Sequence, residues 1–295
     1  MAGLEPFLAC PQCLGSLEPG ESDARCATCN LAFARREGRL DLRLQRSKTV
    51  TLPFELEPRQ VVKALDLRPL RMRDTPEVDF TGVSLPVHLT RELVSYFPRA
   101  RGTGSVMLDL GCGSGSHRVA AEHAGFRYVG IDNDETSGAS FLADAHALPF
   151  KDATFEFVLS IAVLEHIRFP FVALHEARRV LQPGGKLVGT VAFLEPFHGN
   201  SYYHHTHLGA ASALEASGFE VESIAPVVTW PALLSLANLA LFPRLPLWMA
   251  SLLVWPLNVL HRIWWRLGRL RDPRATEEAR LLLSAGAFSF IATRS

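Results

Sequence analysis

The feature that most constrains the fold is a glycine-rich turn placed directly after a short apolar run. Residues 106–110 (Val-Met-Leu-Asp-Leu) are typical of a buried strand, and Gly111, Gly113 and Gly115 follow it. Glycines at the carboxyl end of a parallel strand let the backbone approach a nucleotide-type ligand, because no β-carbon occupies the ligand's space. The pattern predicts an α/β domain with a ligand site at the end of its first strand.

Strand and helix signals alternate after this turn, which predicts a parallel sheet with helices on both faces. Further strands are expected at residues 128–132, 141–144, 155–160, 186–193, 219–224 and, as an antiparallel last strand, 287–293. Helices are expected at residues 85–96, 116–124, 171–181 and 208–217. Only eleven residues separate Asp132 from Asp144. The usual helix between the second and third strands is therefore predicted to be missing, with a loop over residues 133–140.

The carboxylates near the turn indicate the kind of ligand. A dinucleotide-binding turn needs a third glycine where this chain has Ser116. Asp109, just before the turn, would repel a pyrophosphate and suits a ligand that carries an ammonium group. Asp132, at the end of the second strand, is an ionised acceptor that could take both hydroxyls of a ribose.

Five motifs in order between Val106 and Phe193 resemble the class I S-adenosylmethionine-dependent methyltransferase family, in its small-molecule branch. They are Leu-Asp-Leu-Gly-Cys-Gly-Ser-Gly (108–115), Gly-Ile-Asp (130–132), Ala-Asp-Ala-His-Ala-Leu-Pro-Phe (143–150), Val-Leu-Glu-His-Ile (163–167) and Leu-Gln-Pro-Gly-Gly-Lys-Leu (181–187). The resemblance implies a Rossmann-like sheet and S-adenosylmethionine as cofactor.

The resemblance also implies roles for individual residues. The segment from Asp109 through Gly111 and Gly113 to Gly115 would hold the methionine part of the cofactor. Asp132 would accept hydrogen bonds from the ribose. Asp144 would accept from the adenine amino group with Ala145 beside it, and Ser160 would lie under the sulfonium.

Candidate proton acceptors follow the fifth strand of the domain, where a loop would border the acceptor. They are His198, Tyr202, His204, His205 and His207, and we select His204 and His205 as candidate catalytic residues. A polar lid of hydrogen-bonded histidines and a metal-binding histidine cluster remain alternatives. His166 is expected to shape the loop beside the cofactor.

Four of the five cysteines form a separate motif near the N-terminus. Cys10 and Cys13 are followed, after twelve residues, by Cys26 and Cys29. Paired CxxC motifs predict one structural Zn²⁺ held by four thiolates, which stabilises a segment too short to build its own core. The module is similar to the zinc-ribbon family related to a small methyltransferase activator. It could serve as a docking module for a protein partner or as a structural cap.

These signals divide the chain into a zinc ribbon over residues 1–44, a linker with short helices over 45–84, and a methyltransferase domain over 85–295. A hydrophobic insertion occupies about residues 226–275 of the last domain. All five tryptophans fall in it or near its ends, and its only charged residue between Ser223 and Leu260 is Arg244. The prolines at 231, 243, 246 and 256 are expected to cut it into pieces of about ten residues, too short to span a bilayer.

Short apolar helices followed by arginines suit attachment to an anionic membrane surface. The insertion could equally be a lid over the active site or a subunit interface. No basic and apolar leader begins the sequence, so we expect a cytoplasmic protein, with attachment to the inner membrane face as an open alternative.

The leading hypothesis is a methyltransferase for a small-molecule or lipid-linked acceptor. Lysine plus arginine equals aspartate plus glutamate at 30 each, which argues against nucleic acid as a partner. An rRNA or tRNA methyltransferase that docks through its zinc ribbon is the second hypothesis. A non-catalytic adaptor that keeps the cofactor fold is the third.

Overall fold

The computed structural model describes residues 5–54, 65 and 67–295, which form two sheets. The N-terminal sheet contains four antiparallel strands: β1 (Leu17–Pro19), β2 (Asp23–Cys26), β3 (Ala32–Arg36) and β4 (Arg39–Leu40). The larger sheet contains seven: β5 (Val106–Leu110), β6 (Arg127–Asp132), β7 (Phe141–Leu142), β8 (Phe155–Ile161), β9 (Leu181–Ala192), β10 (Phe219–Pro226) and β11 (Ala287–Arg294).

The seven strands lie in the order β10-β11-β9-β8-β5-β6-β7. Strands β5 to β9 pair in parallel, whereas β11 is antiparallel to both β9 and β10. The carboxyl ends of the parallel strands therefore meet at one edge of the sheet. This topology confirms the predicted Rossmann-like sheet with an antiparallel last strand.

The helices around the sheet are α1 (Arg91–Val94), α2 (Arg118–His123), α3 (Pro170–Val180) and α4 (His207–Ala216). The helix predicted over residues 85–96 is reduced to α1, because the Thr90 side chain caps it by accepting from the Leu93 amide and Pro98 follows its end. Residues 133–140 form a loop without a helix, as expected.

The N-terminal module packs against the outer edge of the large sheet. Asp41 forms a parallel bridge with Leu142 of β7, and Leu8 an antiparallel bridge with Phe150. Phe33 belongs to the same buried apolar cluster as Phe150. Part of the linker predicted over 45–84, residues 55–64 and 66, lies outside the described residues. Its described remainder contains no helix.

The insertion begins with α5 (Ala232–Leu236) and a π-helical turn (Ala237–Leu241), and continues with α6 (Leu247–Gly268) and α7 (Glu277–Leu283). The expectation that Pro256 would end a helix is wrong, because α6, which is 22 residues long, continues through this proline. Because proline has no amide hydrogen, Pro256 cannot donate to the Leu252 carbonyl. The helical turns on either side of this lost hydrogen bond remain. Among the described helices, none has the length and apolar character needed to cross a membrane.

Candidate active site

A cavity of about 460 Å³ lies at the carboxyl ends of β5, β6 and β8, and we call it the donor cavity. Its lining includes Gly111, Gly113, Asp132, Asp144 and Ala145. Five of the eight residues predicted to bind cofactor therefore lie together at the predicted edge of the sheet. The other three, Asp109, Gly115 and Ser160, are outside this lining.

The glycine turn opens the donor cavity. Gly111 and Gly113 have positive φ angles of +67° and +50°, a conformation that other residues rarely adopt. A β-carbon on Gly113 would meet no described atom within 4 Å and would enter the free space of the turn. The Gly113 amide donates to Oδ2 of Asp132 at 2.8 Å, which joins the turn to the end of β6.

The two acids in the donor cavity are hydrogen-bond acceptors. Asp132 receives amide hydrogen bonds from Gly113 and Asp134 and keeps further lone pairs free for a ligand. Burial raises the pKa of Asp144, but hydrogen bonds from the His146 ring and amide outweigh burial and lower the pKa below its ordinary value. A glycine cradle with acids at the ends of β6 and β7 fits an adenosyl ligand.

Asp109 lies beneath the cavity. It is 0% exposed and accepts hydrogen bonds from the Tyr128 hydroxyl at 2.7 Å and from the His117 ring at 3.0 Å. Because Asp109 is fully buried and does not line the cavity, it supports the turn from below. Ser160 is also fully buried, and its hydroxyl has no hydrogen-bond partner among the residues described.

A second cavity, of about 590 Å³, adjoins the first and is called the acceptor cavity. Ala162 and His166 line both cavities. The acceptor cavity is bordered by polar groups from the ends of β8 and β9 and by apolar groups of the insertion, including Trp230, Leu239 and Leu247. The insertion therefore forms one wall of the space in which an acceptor could meet the donor.

Titratable groups concentrate where the cavities meet. Burial, with a smaller contribution from the charge of Glu195, raises the pKa of Glu165 to about 7. Burial also raises the pKa of Glu195, although His198 and Trp230 oppose the rise. The pKa of His166 is lowered by burial and by the nearby His198. Both the neutral and the charged form of Glu165 are therefore accessible near neutral pH.

The family of this chain follows from its relatives. The family described as "Methyltransferase domain" matches residues 108–189. An uncharacterised methyltransferase of Mycolicibacterium paratuberculosis is 34% identical over 178 residues, which cover 50% of this chain and 69% of that protein. The chain belongs to the S-adenosylmethionine-dependent methyltransferases.

Two further similarities are weaker, one because it covers less of the chain and the other because its sequence identity is lower. An uncharacterised methyltransferase of Mycobacterium leprae is 35% identical over 123 residues, 37% of this chain. This methyltransferase chain spans 46% of that relative's length. A chain in the solved complex between the Haloferax volcanii Trm112 methyltransferase activator and a methyltransferase is 18% identical, with a TM-score of 0.45, and the match covers 69% of this chain and 88% of that one.

The predicted catalytic histidines lie at the rim of the methyltransferase site. His204 is exposed, and His205 is half-buried with its amide bonded to the Ala192 carbonyl at 2.7 Å. Neither lines the donor or the acceptor cavity, whereas His166 and His198 do. Sequence reasoning overlooked Glu165 and Glu195, although the Glu165-His166 motif and the three-residue spacing of Glu195 and His198 could have indicated them.

The four N-terminal cysteines of the methyltransferase come together as predicted. Ligand atoms of Cys10, Cys13, Cys26 and Cys29 all lie within 4.8 Å of one another. The Sγ atoms of Cys10 and Cys29 are 3.6 Å apart, and those of Cys13 and Cys26 are 3.5 Å apart. Four thiolates in a compact cluster could hold a structural zinc ion.

Proposed function

We propose that the chain transfers the methyl group of S-adenosylmethionine to a small-molecule or lipid-linked acceptor that binds in the acceptor cavity. The supporting observation is that the two cavities meet at Ala162 and His166. Bound S-adenosylmethionine supplies a methyl group on a sulfonium, whose thioether is a good leaving group. Two sites with a shared wall allow donor and acceptor to be aligned, and alignment makes a large contribution to such a displacement.

The donor cavity has groups for each part of the cofactor. Asp132 would accept from the ribose hydroxyls and Asp144 from the adenine amino group, while the turn at Gly113 would lie against the methionine part. At the acceptor side, the half-buried imidazole of His166 borders both cavities and would contact the reacting group of the acceptor. Participation of His204 and His205 stays a prediction, since a loop at the rim can contact an acceptor without lining the cavity.

The exposed face of α6 supports a membrane-surface location. Trp248, Trp255 and Trp264 are 65%, 64% and 74% exposed, and leucines lie between them. Arg262, Arg266, Arg269, Arg271 and Arg274 follow toward the end of the insertion. An apolar helix face with tryptophans and trailing arginines is suited to the interface of an anionic leaflet. The acceptor cavity is lined by Leu247 at the start of the same helix, so a lipophilic acceptor could enter from the bilayer side.

The N-terminal module is proposed to be a zinc-stabilised structural cap. Its contacts with the large sheet and its share in the same apolar cluster support this role. Docking of a protein partner through the exposed face of the module remains compatible with it.

Cofactor binding tests the first part of the proposal. We expect Asp132→Asn to weaken S-adenosylmethionine binding about 10- to 100-fold in calorimetry, because hydrogen bonds to a charged group contribute about 1.5–3 kcal/mol. Asp134→Asn is the matched control: it is exposed, two residues away, and asparagine can keep its turn hydrogen bonds. Absence of binding by the wild-type chain would refute the methyltransferase assignment. Binding without turnover on any acceptor would favour an adaptor.

Vesicle flotation tests the membrane part. The full chain should float with vesicles rich in phosphatidylglycerol and remain unbound with phosphatidylcholine alone. Replacing Trp248, Trp255 and Trp264 together by serine should abolish flotation while S-adenosylmethionine binding persists. Equal recovery of wild type and variant in the unbound fraction would show that α6 serves as a lid or interface instead.

A further inference from the structure

Three side chains at the inner end of the acceptor cavity have the spacing of a metal site. Glu165 and His166 lie on a 3-10 turn (Leu164–His166) directly after β8, and His198 lies on the loop after β9. One ligand atom from each of the three lies within 4.8 Å of the other two. Since β8 and β9 are parallel neighbours, their carboxyl ends bring these ligands together from separate parts of the chain.

The buried oxygens of Glu165 indicate that a ligand is missing. Glu165 is 1% exposed, and neither of its carboxylate oxygens has a hydrogen-bond partner in the described part of the chain. Nδ1 of His166 is likewise buried and unpartnered among those residues. Burying polar atoms without partners costs about 1–3 kcal/mol each, more for a charged group. A cation bound between them would give one atom of each of these two side chains a partner.

The surroundings hold the site in place. The main-chain carbonyl of Glu165 accepts hydrogen bonds from the amides of Tyr202 and Tyr203, which ties the 3-10 turn to the loop that carries His198. Nδ1 of His198 donates to the Pro196 carbonyl at 2.9 Å, and Oε2 of Glu195 lies 3.6 Å from the same nitrogen. Oε1 of Glu195 accepts from the Trp230 indole at 2.9 Å. Metal-binding histidines usually donate from their other ring nitrogen to a carboxylate or a backbone carbonyl, which fixes the orientation of the ring.

We propose that Glu165, His166 and His198 bind one divalent first-row transition ion of the Zn²⁺ type at the inner end of the acceptor cavity. Two imidazoles and one carboxylate form a ligand set that such ions accept, and three protein ligands leave a position open. This open position faces a cavity that His166 shares with the donor side. If the proposed methyltransferase function holds, the ion would fix an oxygen of the acceptor near the donor cavity.

Zinc content of the full chain tests the site. After equilibration with ZnCl₂ and removal of loose metal, we expect two zinc ions per wild-type chain by elemental analysis, one in the cysteine cluster and one here. Glu165→Gln and His198→Asn should each retain one. His261→Asn is the control: this histidine is on α6, lines neither cavity and should leave two. One zinc in the wild type, or two in every variant, would overturn the proposal.

X-ray absorption on the wild-type chain keeps the test independent of how the variants fold. Two sites should give a mixed shell, with sulfur at about 2.3 Å and nitrogen or oxygen at about 2.0–2.2 Å, whereas the cysteine site alone gives only sulfur. A sulfur-only shell would refute the second site. These readouts need no cofactor, so two zinc ions together with absent S-adenosylmethionine binding would preserve the metal site and refute the methyltransferase proposal.

Discussion

The Arg39 guanidinium of the N-terminal module donates a hydrogen bond of 2.7 Å to the carbonyl of Ser137 in the loop between β6 and β7. A second, also 2.7 Å, goes to the carbonyl of Glu135, and Arg43 donates to the carbonyl of Asn133 at 3.2 Å. The loop held in this way replaces the missing helix and directly follows Asp132. The module therefore supports the adenine side of the donor cavity.

Removing the Arg39 contact should weaken cofactor binding from outside the cavity. We expect Arg39→Ala to raise the dissociation constant for S-adenosylmethionine about 3- to 10-fold, because two hydrogen bonds from a charged donor to the loop are lost. Calorimetry measures the constant. Arg25→Ala, at an exposed position on β2, should leave it unchanged. Equal affinities for both variants would show that the loop holds its shape without the Arg39 contacts.

Chelation of zinc should weaken S-adenosylmethionine binding at least as much as Arg39→Ala does. Without metal, about forty residues cannot maintain the cysteine cluster, so both Arg39 and Arg43 lose their positions. Limited proteolysis should then cut first within residues 5–44, and affinity for S-adenosylmethionine should fall at least as far as in Arg39→Ala. Restoring zinc should reverse both changes. A chelated chain with unchanged protease resistance would contradict the metal's structural role.

The hydroxyl of Tyr128 should contribute to stability because it donates a hydrogen bond to the fully buried carboxylate of Asp109. Tyr128→Phe leaves Asp109 with only the His117 ring as a side-chain donor, and we expect the free energy of unfolding to fall by about 1–3 kcal/mol. Urea denaturation measures the change. In the control Tyr203→Phe, the lost hydroxyl is exposed and bonds only the Arg168 carbonyl, so a change within about 0.5 kcal/mol is expected.

Gly113 offers a way to fill the donor cavity. Gly113→Ala places a methyl group in the open turn, and we expect S-adenosylmethionine affinity to fall about tenfold or more, equivalent to about 1.4 kcal/mol. The left-handed backbone also costs about 1–2 kcal/mol of stability. Gly82→Ala carries the same backbone cost at φ +78°, away from the cavity, and should bind the cofactor normally. Matching losses in both variants would mean that backbone strain, not occupied space, causes the effect.

The sheet was predictable where a buried parallel strand is a short apolar run that ends at a glycine or an acid, as β5 and β6 do. Residues 106–110 coincide with β5, and the strand predicted at 155–160 extends by one residue as β8. Less predictable was β9, which begins at Leu181 and includes Pro183 and Gly184. Turn-forming residues at the start of a strand hide it from patterns of apolar alternation.

Side-chain direction limited the prediction of the site. Asp132 ends β6, Asp144 lies two residues after β7, and both line the donor cavity, as their positions suggested. Asp109 lies one residue before the end of β5, so its side chain points under the turn to Tyr128. Glu165 was overlooked because its importance depends on burial and on the approach of His198, thirty-three residues further along the chain. Neither property is encoded in a local pattern.

The bridge between Asp41 and Leu142 covers the outer edge of the large sheet. Strand β7 ends the large sheet, and the Leu42 amide donates to its Leu142 carbonyl at 2.7 Å. Unpaired edges of a sheet recruit strands from other molecules. The module thus shields the domain against self-association. A chain that lacks residues 1–44 should scatter light at concentrations where solutions of the full chain remain clear. Equal clarity of the two solutions would show that an uncovered β7 does not cause self-association.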